Sequence, residues 1–200
     1  MNTSTRTYHQ RARAEAARAT HTRIMDALVA LVMDRGTTGV PLADVAAAAG
    51  VTVPTVLRHF GSRDGLFTEA FAYAREQILT EREAPVGDAE AAVRVVVDHY
   101  EARGRGMLTL LAHEADDPGI ARITRAGRDE HRAWVTTTFG PVLATRPVEA
   151  HAALVDLLVV ATDLQTWNLL RNDRGLGRDD TAARMLRLVR AVLAQEARDG

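Results

Sequence analysis

Apolar residues recur along this chain with the 3.6-residue period of α-helices, and no stretch shows the strict alternation of a half-buried strand. Ile24, Leu28, Leu31 and Val32 make the first stripe, which Gly36 and Gly39 close. Two short segments follow, about Leu42 to Ala49 and about Val53 to Phe60, with Gly50 between them and Thr52 placed to cap the second. Ser62 then precedes a longer pattern in which Leu66, Phe67, Ala70, Phe71, Ala74 and Ile78 share one face, until Pro85 and Gly87 interrupt it. Beyond the interruption, residues 88–103 carry Val93, Val96, Val97 and Tyr100. Gly104 and Gly106 predict a break before a short helix containing Met107, Leu108, Leu110 and Leu111. Asp117-Pro118-Gly119 predicts a turn, and the helix after it sets Ile120, Ile123, His131, Trp134 and Val135 on one side, ending near Gly140-Pro141. From Ala152 to Leu170 apolar residues occupy nearly the whole circumference, and the last pattern, residues 180–197, has a wide apolar stripe. The expected fold is all-α.

A helix apolar all round must be covered on more than one side. In a domain of this size, one side of residues 152–170 is expected to line the core and another to meet a second copy. The two C-terminal helices would then pair with their copies as a four-helix bundle, making a homodimer with Leu158, Met185, Leu186, Val189 and Leu193 at the interface. No apolar run is expected to reach the roughly 18–20 residues that span a bilayer, and the N-terminus lacks a secretory pattern, so no membrane partner and a cytoplasmic location are expected. The absence of cysteine excludes disulfides and thiol chemistry. All 25 basic residues are arginine, which suits a GC-rich genome and carries no functional reading.

The run VAAAAGVTVPTVLRHFGSRDGLF, residues 45–67, carries the most chemistry. Small residues let two helices cross closely, Gly50 makes a sharp turn, and Val45, Val51 and Val56 fix the crossing, which leaves the second helix free to enter a major groove. The same elements also build ordinary helical bundles, and charge favours the DNA reading. The net charge is only −1, but residues 1–63 carry eight arginines against four acids, a balance of +4, while residues 64–200 carry 17 against 22, a balance of −5. A basic module bearing a helix-turn-helix beside an acidic remainder suits a phosphate-binding protein with a second task.

RIMDALVALVMDRG and LADVAAAAGVTVPTVLRHFGSRDGLF resemble, in order and spacing, the first helix, helix-turn-helix and start of the fourth helix of TetR/AcrR-family transcriptional regulators. TDLQTWNLLRNDRGLGRDD is similar, less specifically, to the family's approach to its dimerisation helices. The resemblance implies a flexible basic arm at 1–20, a DNA-binding domain at 21–63 and a ligand-binding and dimerisation domain at 64–200. It also implies a homodimer on a roughly palindromic double-stranded operator, released by an unidentified small-molecule effector. Thr52, Val53, Pro54 and Thr55 would face bases or the nearest phosphates, and His59 and Arg63 would grip the backbone. Pro54 offers a thymine methyl an apolar ring, and Arg63 stands at a helix N-terminus that already favours an anion. Leu57 stands where the family commonly has a tyrosine, and Pro41 where it commonly has a Ser or Thr cap, so a phosphate contact and a cap are lost. Arg6, Arg11, Arg13 and Arg18 either compensate by reaching phosphate or minor groove, or belong to an unbound tail.

Family geometry places an effector pocket near Tyr100, Met107, Leu111, His131, Trp134 and Trp167. Asp156 and Asp163, seven residues apart on a greasy helix, need a neighbouring arginine, solvent or a cationic ligand, and Asp163 joins the ligand-binding candidates for that reason. Catalytic signals are poor. His113-Glu114 begins like a zinc-protease motif, but Asp117 occupies the second histidine's place. No two of the seven histidines stand three or four apart on one helix, so no metal site is expected. Gly175-x-Gly177 lacks a preceding strand and a third glycine. Neither an enzyme nor a cofactor is expected. The reading is a ligand-responsive repressor, and its rivals are an all-helical enzyme and a constitutive DNA-binding protein without effector.

Overall fold

The computed structural model describes residues 3–195, with side chains from 10 to 194, and every regular element among them is helical. The helices are α1 (Thr3–Arg35), α2 (Leu42–Ala48), α3 (Val53–Phe60), α4 (Arg63–Glu81), α5 (Ala89–His113), α6 (Pro118–Thr138), α7 (Gly140–Leu143), α8 (Val148–Thr162), α9 (Leu164–Asn168) and α10 (Arg178–Gln195), with one π-helical turn at Leu169–Asp173. They form two compact units, Met1–Gln77 and Ile78–Gly200, so that the last residues of α4 belong to the second.

In the first unit the core is apolar: Ile24, Leu28 and Val32 of α1, Val45 of α2, Val56 of α3 and Leu66 of α4 are buried. Residues 3–20, expected as an arm, are continuous with α1, and Arg11, Arg13 and Arg18 lie exposed along it. The Arg6 side chain and residues 196–197 of the expected last helix lie outside the described residues.

The second unit is centred on α5, whose Val93, Val96, Val97 and Tyr100 meet Val135 and Phe139 of the α6 region, Leu154 and Leu158 of α8, and Met185 and Val189 of α10. Each large apolar side chain buried in this way contributes about 1.5–3 kcal/mol. Two expectations change here. Gly104 and Gly106 do not break α5, which continues to His113, and the Trp167 ring occupies the space a side chain on Gly104 would need: a Cβ there would sit 2.6 Å from Trp167 Cζ3. A helical glycine costs roughly 1 kcal/mol relative to alanine, and the close approach of the indole offsets it. Conversely, the expected helix from 152 to 170 is broken at Asp163, which adopts an extended conformation and caps α9 by accepting from Gln165 N at 2.8 Å. Thr166 Oγ1 donates to the Val160 carbonyl at 2.6 Å and so occupies one acceptor at the end of α8. Asp156 and Asp163 therefore do not share a helix face.

Within the 26 residues Val148–Asp173 an 18-residue window reaches a mean hydropathy of 1.3, so by length and composition alone one segment meets the requirement for crossing a bilayer, where none was expected. It is interrupted at Asp163, and Leu154, Val155, Leu158, Leu164 and Trp167 within it are buried in the core.

Candidate nucleic-acid interface and interior polar cleft

Backbone rules shape the helix pair. At the end of α2, Gly50 has φ of 66°, with Val51 N donating to Ala46 O at 2.9 Å and Gly50 N to Ala47 O at 3.2 Å. These paired bonds form a glycine-closed C-terminal turn that leaves little freedom in the path to α3. Thr52 sits at the N-cap of α3, but its hydroxyl pairs with Thr55 Oγ1 at 3.0 Å and bonds no helical amide. Capping thus rests on the Thr52 carbonyl, which accepts from Thr55 N and Val56 N. Ser62 does cap α4, accepting from Gly65 N at 3.0 Å.

Val56 and Phe60 turn α3 inward, and the opposite face presents Thr52, Pro54, Leu57 and Arg58 to solvent, with Val53, Thr55 and His59 half-buried. Arg58 did not figure in the sequence reading, although its place four residues after Pro54 puts it on this outward face. Arg63 lies over the Phe67 ring at 4.3 Å and donates to the Thr38 carbonyl, which sets its direction and leaves most of its five donors available. His59 lies beside His21 and Phe60, and its pKa is lowered first by burial, then by the nearby His21 and Arg58. His21 stacks on Phe60 at 4.2 Å and is bonded to Glu69 at 3.0 Å, tying α1 to α3 and α4. The result is a firmly held helix with one exposed apolar and polar face and no buried titratable group of its own.

The second unit differs. Arg82, just past α4, is 7% exposed, and its Nη2 donates to His131 Nδ1 at 2.6 Å. Its guanidinium lies 4.5 Å above the Trp134 ring, while the indole N–H donates to the Arg82 carbonyl at 2.8 Å. His131 Nε2 faces Thr162 Oγ1 at 3.2 Å, and that hydroxyl donates to the Leu158 carbonyl at 2.7 Å, so Nε2 carries the imidazole proton and Nδ1 accepts. Burial and then the Arg82 charge push the His131 pKa down to about 3, and the same two causes bring His99 to about 4. His99 Nδ1 is bonded to Glu81 at 3.2 Å, and its Nε2 is buried without a partner. Tyr100 donates to the Thr162 carbonyl at 3.1 Å, and burial raises its pKa. A cleft of about 520 Å³ opens beside this network, lined by Leu79, Arg82, Pro85, Val86 and Trp134 among others.

Of the expected ligand-binding residues, Trp134 lines the cleft and His131 joins it through Arg82. Tyr100 and Trp167 are core residues, Met107 and Leu111 pack against the core, and Asp163 caps α9. Asp156 is paired with Arg132. Arg82 and His99 were missed: His99 continues the Ala92–Val96 stripe and was legible in its phase, whereas Arg82 has no local signal. Of the residues expected at a subunit interface, Leu158, Met185 and Val189 are buried in the subunit's own core, and Leu186 and Leu193 pack partly against it. Val148, Leu157 and Val160 of α8 and Leu188 of α10 are large apolar residues left exposed.

Residues 24–70 match the profile of bacterial regulatory proteins, tetR family. The chain is 30% identical over 152 residues to the HTH-type transcriptional regulator AlkX of Mycobacterium tuberculosis (strain ATCC 25618 / H37Rv), covering 75% of this chain and 69% of that protein. Its fold is similar to that of a transcriptional regulator from Rhodococcus sp. Rha1, with a TM-score of 0.62 and 20% identity over 88% of this chain and 96% of the other. It is also similar to a putative TetR-family transcriptional regulator from Rhodococcus sp., with a TM-score of 0.58 and 19% identity over 87% and 98% of the two chains.

Proposed function

Since the chain belongs to the TetR family of bacterial regulatory proteins and is a transcriptional regulator, not an enzyme, we propose that it is a homodimeric repressor that holds a palindromic operator and releases it to a small-molecule effector. The observation that carries the DNA part is the outward face of α3. Thr52, Pro54, Leu57 and Arg58 stand together on a helix whose entry and exit are set by Gly50 and Gly61, both at positive φ. Thr52 to Thr55 read bases or nearby phosphates at the start of the helix, and Arg58, His59 and Arg63 hold the backbone. In this reading residues 21–63 form the DNA-binding part and residues 64–200 form the part that dimerises and takes the effector, in the cytoplasm where the operator lies.

Dimerisation runs through the exposed Leu157 and Val160 of α8 and Leu188 of α10, helices that pack on one another. Two-fold symmetry then sets the two reading helices about 34–36 Å apart or somewhat more on the duplex. Coupling follows from α4, which begins with Arg63 and ends in the second unit. An effector lowers operator affinity only by preferring one α4 position over another, and operator DNA must weaken effector binding by the same factor. Footprinting on the DNA flanking the protein's own gene tests the proposal. A protected palindrome is expected, and a lack of sequence preference over random DNA would refute it.

A further inference from the structure

The second unit buries a cation whose hydrogen bond goes to a neutral imidazole. Among the described residues no carboxylate closes an ion pair on Arg82. Glu130 bears on it only through space, Glu83 lines the same cleft, and Glu81 is engaged by His99 and Arg103. Arg82 Nε is buried without a partner. A guanidinium withdrawn from water without an opposing charge is unfavourable, and burial accordingly lowers its pKa, though arginine stays charged throughout the physiological range. Three contacts nonetheless hold it in place: the bond to His131, the Trp134 face beneath it and the indole bond to its own carbonyl. A costly charge, fixed in orientation at the wall of an open cleft, is the arrangement of an anion receptor awaiting its ligand.

We propose that this cleft binds an organic carboxylate with an apolar body, the carboxylate pairing with Arg82 and the body lying against Leu79, Pro85, Val86 and Trp134. One guanidinium matches one negative charge, and the apolar wall selects against a bare inorganic anion. His131 and Trp134 act as positioning residues. The inference rests on the effector reading above and specifies the chemistry of that effector.

The test uses the full chain with benzoate and octanoate, the corresponding amides benzamide and octanamide, and inorganic phosphate, read by thermal melting and by tryptophan fluorescence, since Trp134 lines the cleft. Both carboxylates are expected to raise the melting temperature and change the emission, with the amides and phosphate binding at least about tenfold more weakly. Arg82→Met is expected to erase that preference and, without ligand, to melt at or above the parent temperature, because an unpaired buried charge has been removed. Arg82→Lys is expected to retain the preference in reduced form. Amides or phosphate binding as well as the carboxylates, no response to either carboxylate at millimolar concentration, or an unliganded Arg82→Met protein that melts well below the parent would each overturn the proposal. Operator gel shifts separate the two readings. Carboxylate binding that leaves operator affinity unchanged refutes the effector role and keeps the anion site, whereas operator release by neutral amides refutes the anion site and keeps the effector role.

Discussion

In the first unit Ile24, Leu28, Val32, Val45, Val56 and Leu66 pack together, and among the described residues no polar side chain is buried with them, while arginines such as Arg58 and Arg63 lie at the surface. In the second unit Arg82, His99, Thr124, His131, Thr138, Thr162 and Thr181 are buried among the apolar residues. The contrast fits the two tasks proposed for the two units. A surface that meets phosphate needs only a rigid apolar support, because its charges stay hydrated until they bind. A receptor for a small molecule must carry its polar groups inside, where each must be hydrogen-bonded or left at a penalty of about 1–3 kcal/mol.

The sharpest way to break the comparison is to exchange the two interiors. Val45→Asp should unfold the first unit, because a charge in that apolar core has no partner and losses above about 4 kcal/mol are expected; circular dichroism showing a native helical melt would contradict it. Paired Leu157→Glu and Leu188→Glu should leave each subunit folded but monomeric in sedimentation, with operator binding lost because one half-site is held too weakly. A double variant that remains a dimer at micromolar concentration would place the interface elsewhere.

Acid should act on the second unit first. His99 and His131 have folded pKa values of about 4 and about 3, below the usual 6.5, so the unfolded chain takes up protons more readily than the folded one as the pH falls. Stability is fully present above about pH 6.5 and declines from there towards pH 3–4. The His99→Gln, His131→Gln double variant should show a shallower decline in melting temperature over that window, and an equal slope would assign the acid sensitivity to other groups.

Gly104→Ala sets helix propensity against packing. Alanine favours a helix by about 1 kcal/mol, but its Cβ would meet Trp167, so a net loss of about 1–3 kcal/mol is expected in denaturant melts. A gain would mean that the indole can move. The smallest expected effect is Arg58→Ala, which should weaken binding to all DNA sequences about equally and reduce the salt slope by about one. A change confined to one base position would make Arg58 a base reader.

The helix-turn-helix was legible because its determinants lie within a few residues of one another. Gly50 must adopt positive φ, Thr52 follows it, and Val45 and Val56 carry the phase that turns α3 inward. Thr52 does occupy the N-cap, but its hydroxyl bonds Thr55 Oγ1 and no helical amide, a choice between neighbours that the sequence does not specify. The break at Asp163 was hidden by the apolar residues around it, although Asp is a good N-cap and this one behaves as such.

What the chain settles by itself is the all-helical pattern, the position of the helix-turn-helix pair and the basic character of the first 63 residues, because helix period, glycine turns and charge are local properties. Which apolar residues face inward on α8 and α10 is decided by packing: Leu158, Met185 and Val189 went to the subunit's own core and left Leu157, Val160 and Leu188 outside. The interior cation is also a product of the tertiary structure. Arg82, His131 and Thr162 come from three separate parts of the chain, and in sequence Arg82 is one arginine among 25 in a polar stretch before a proline. Only when the helices close around it do loss of water and lack of an opposing carboxylate turn that ordinary residue into a receptor, because burial depends on what every other helix covers and not on the residues beside it.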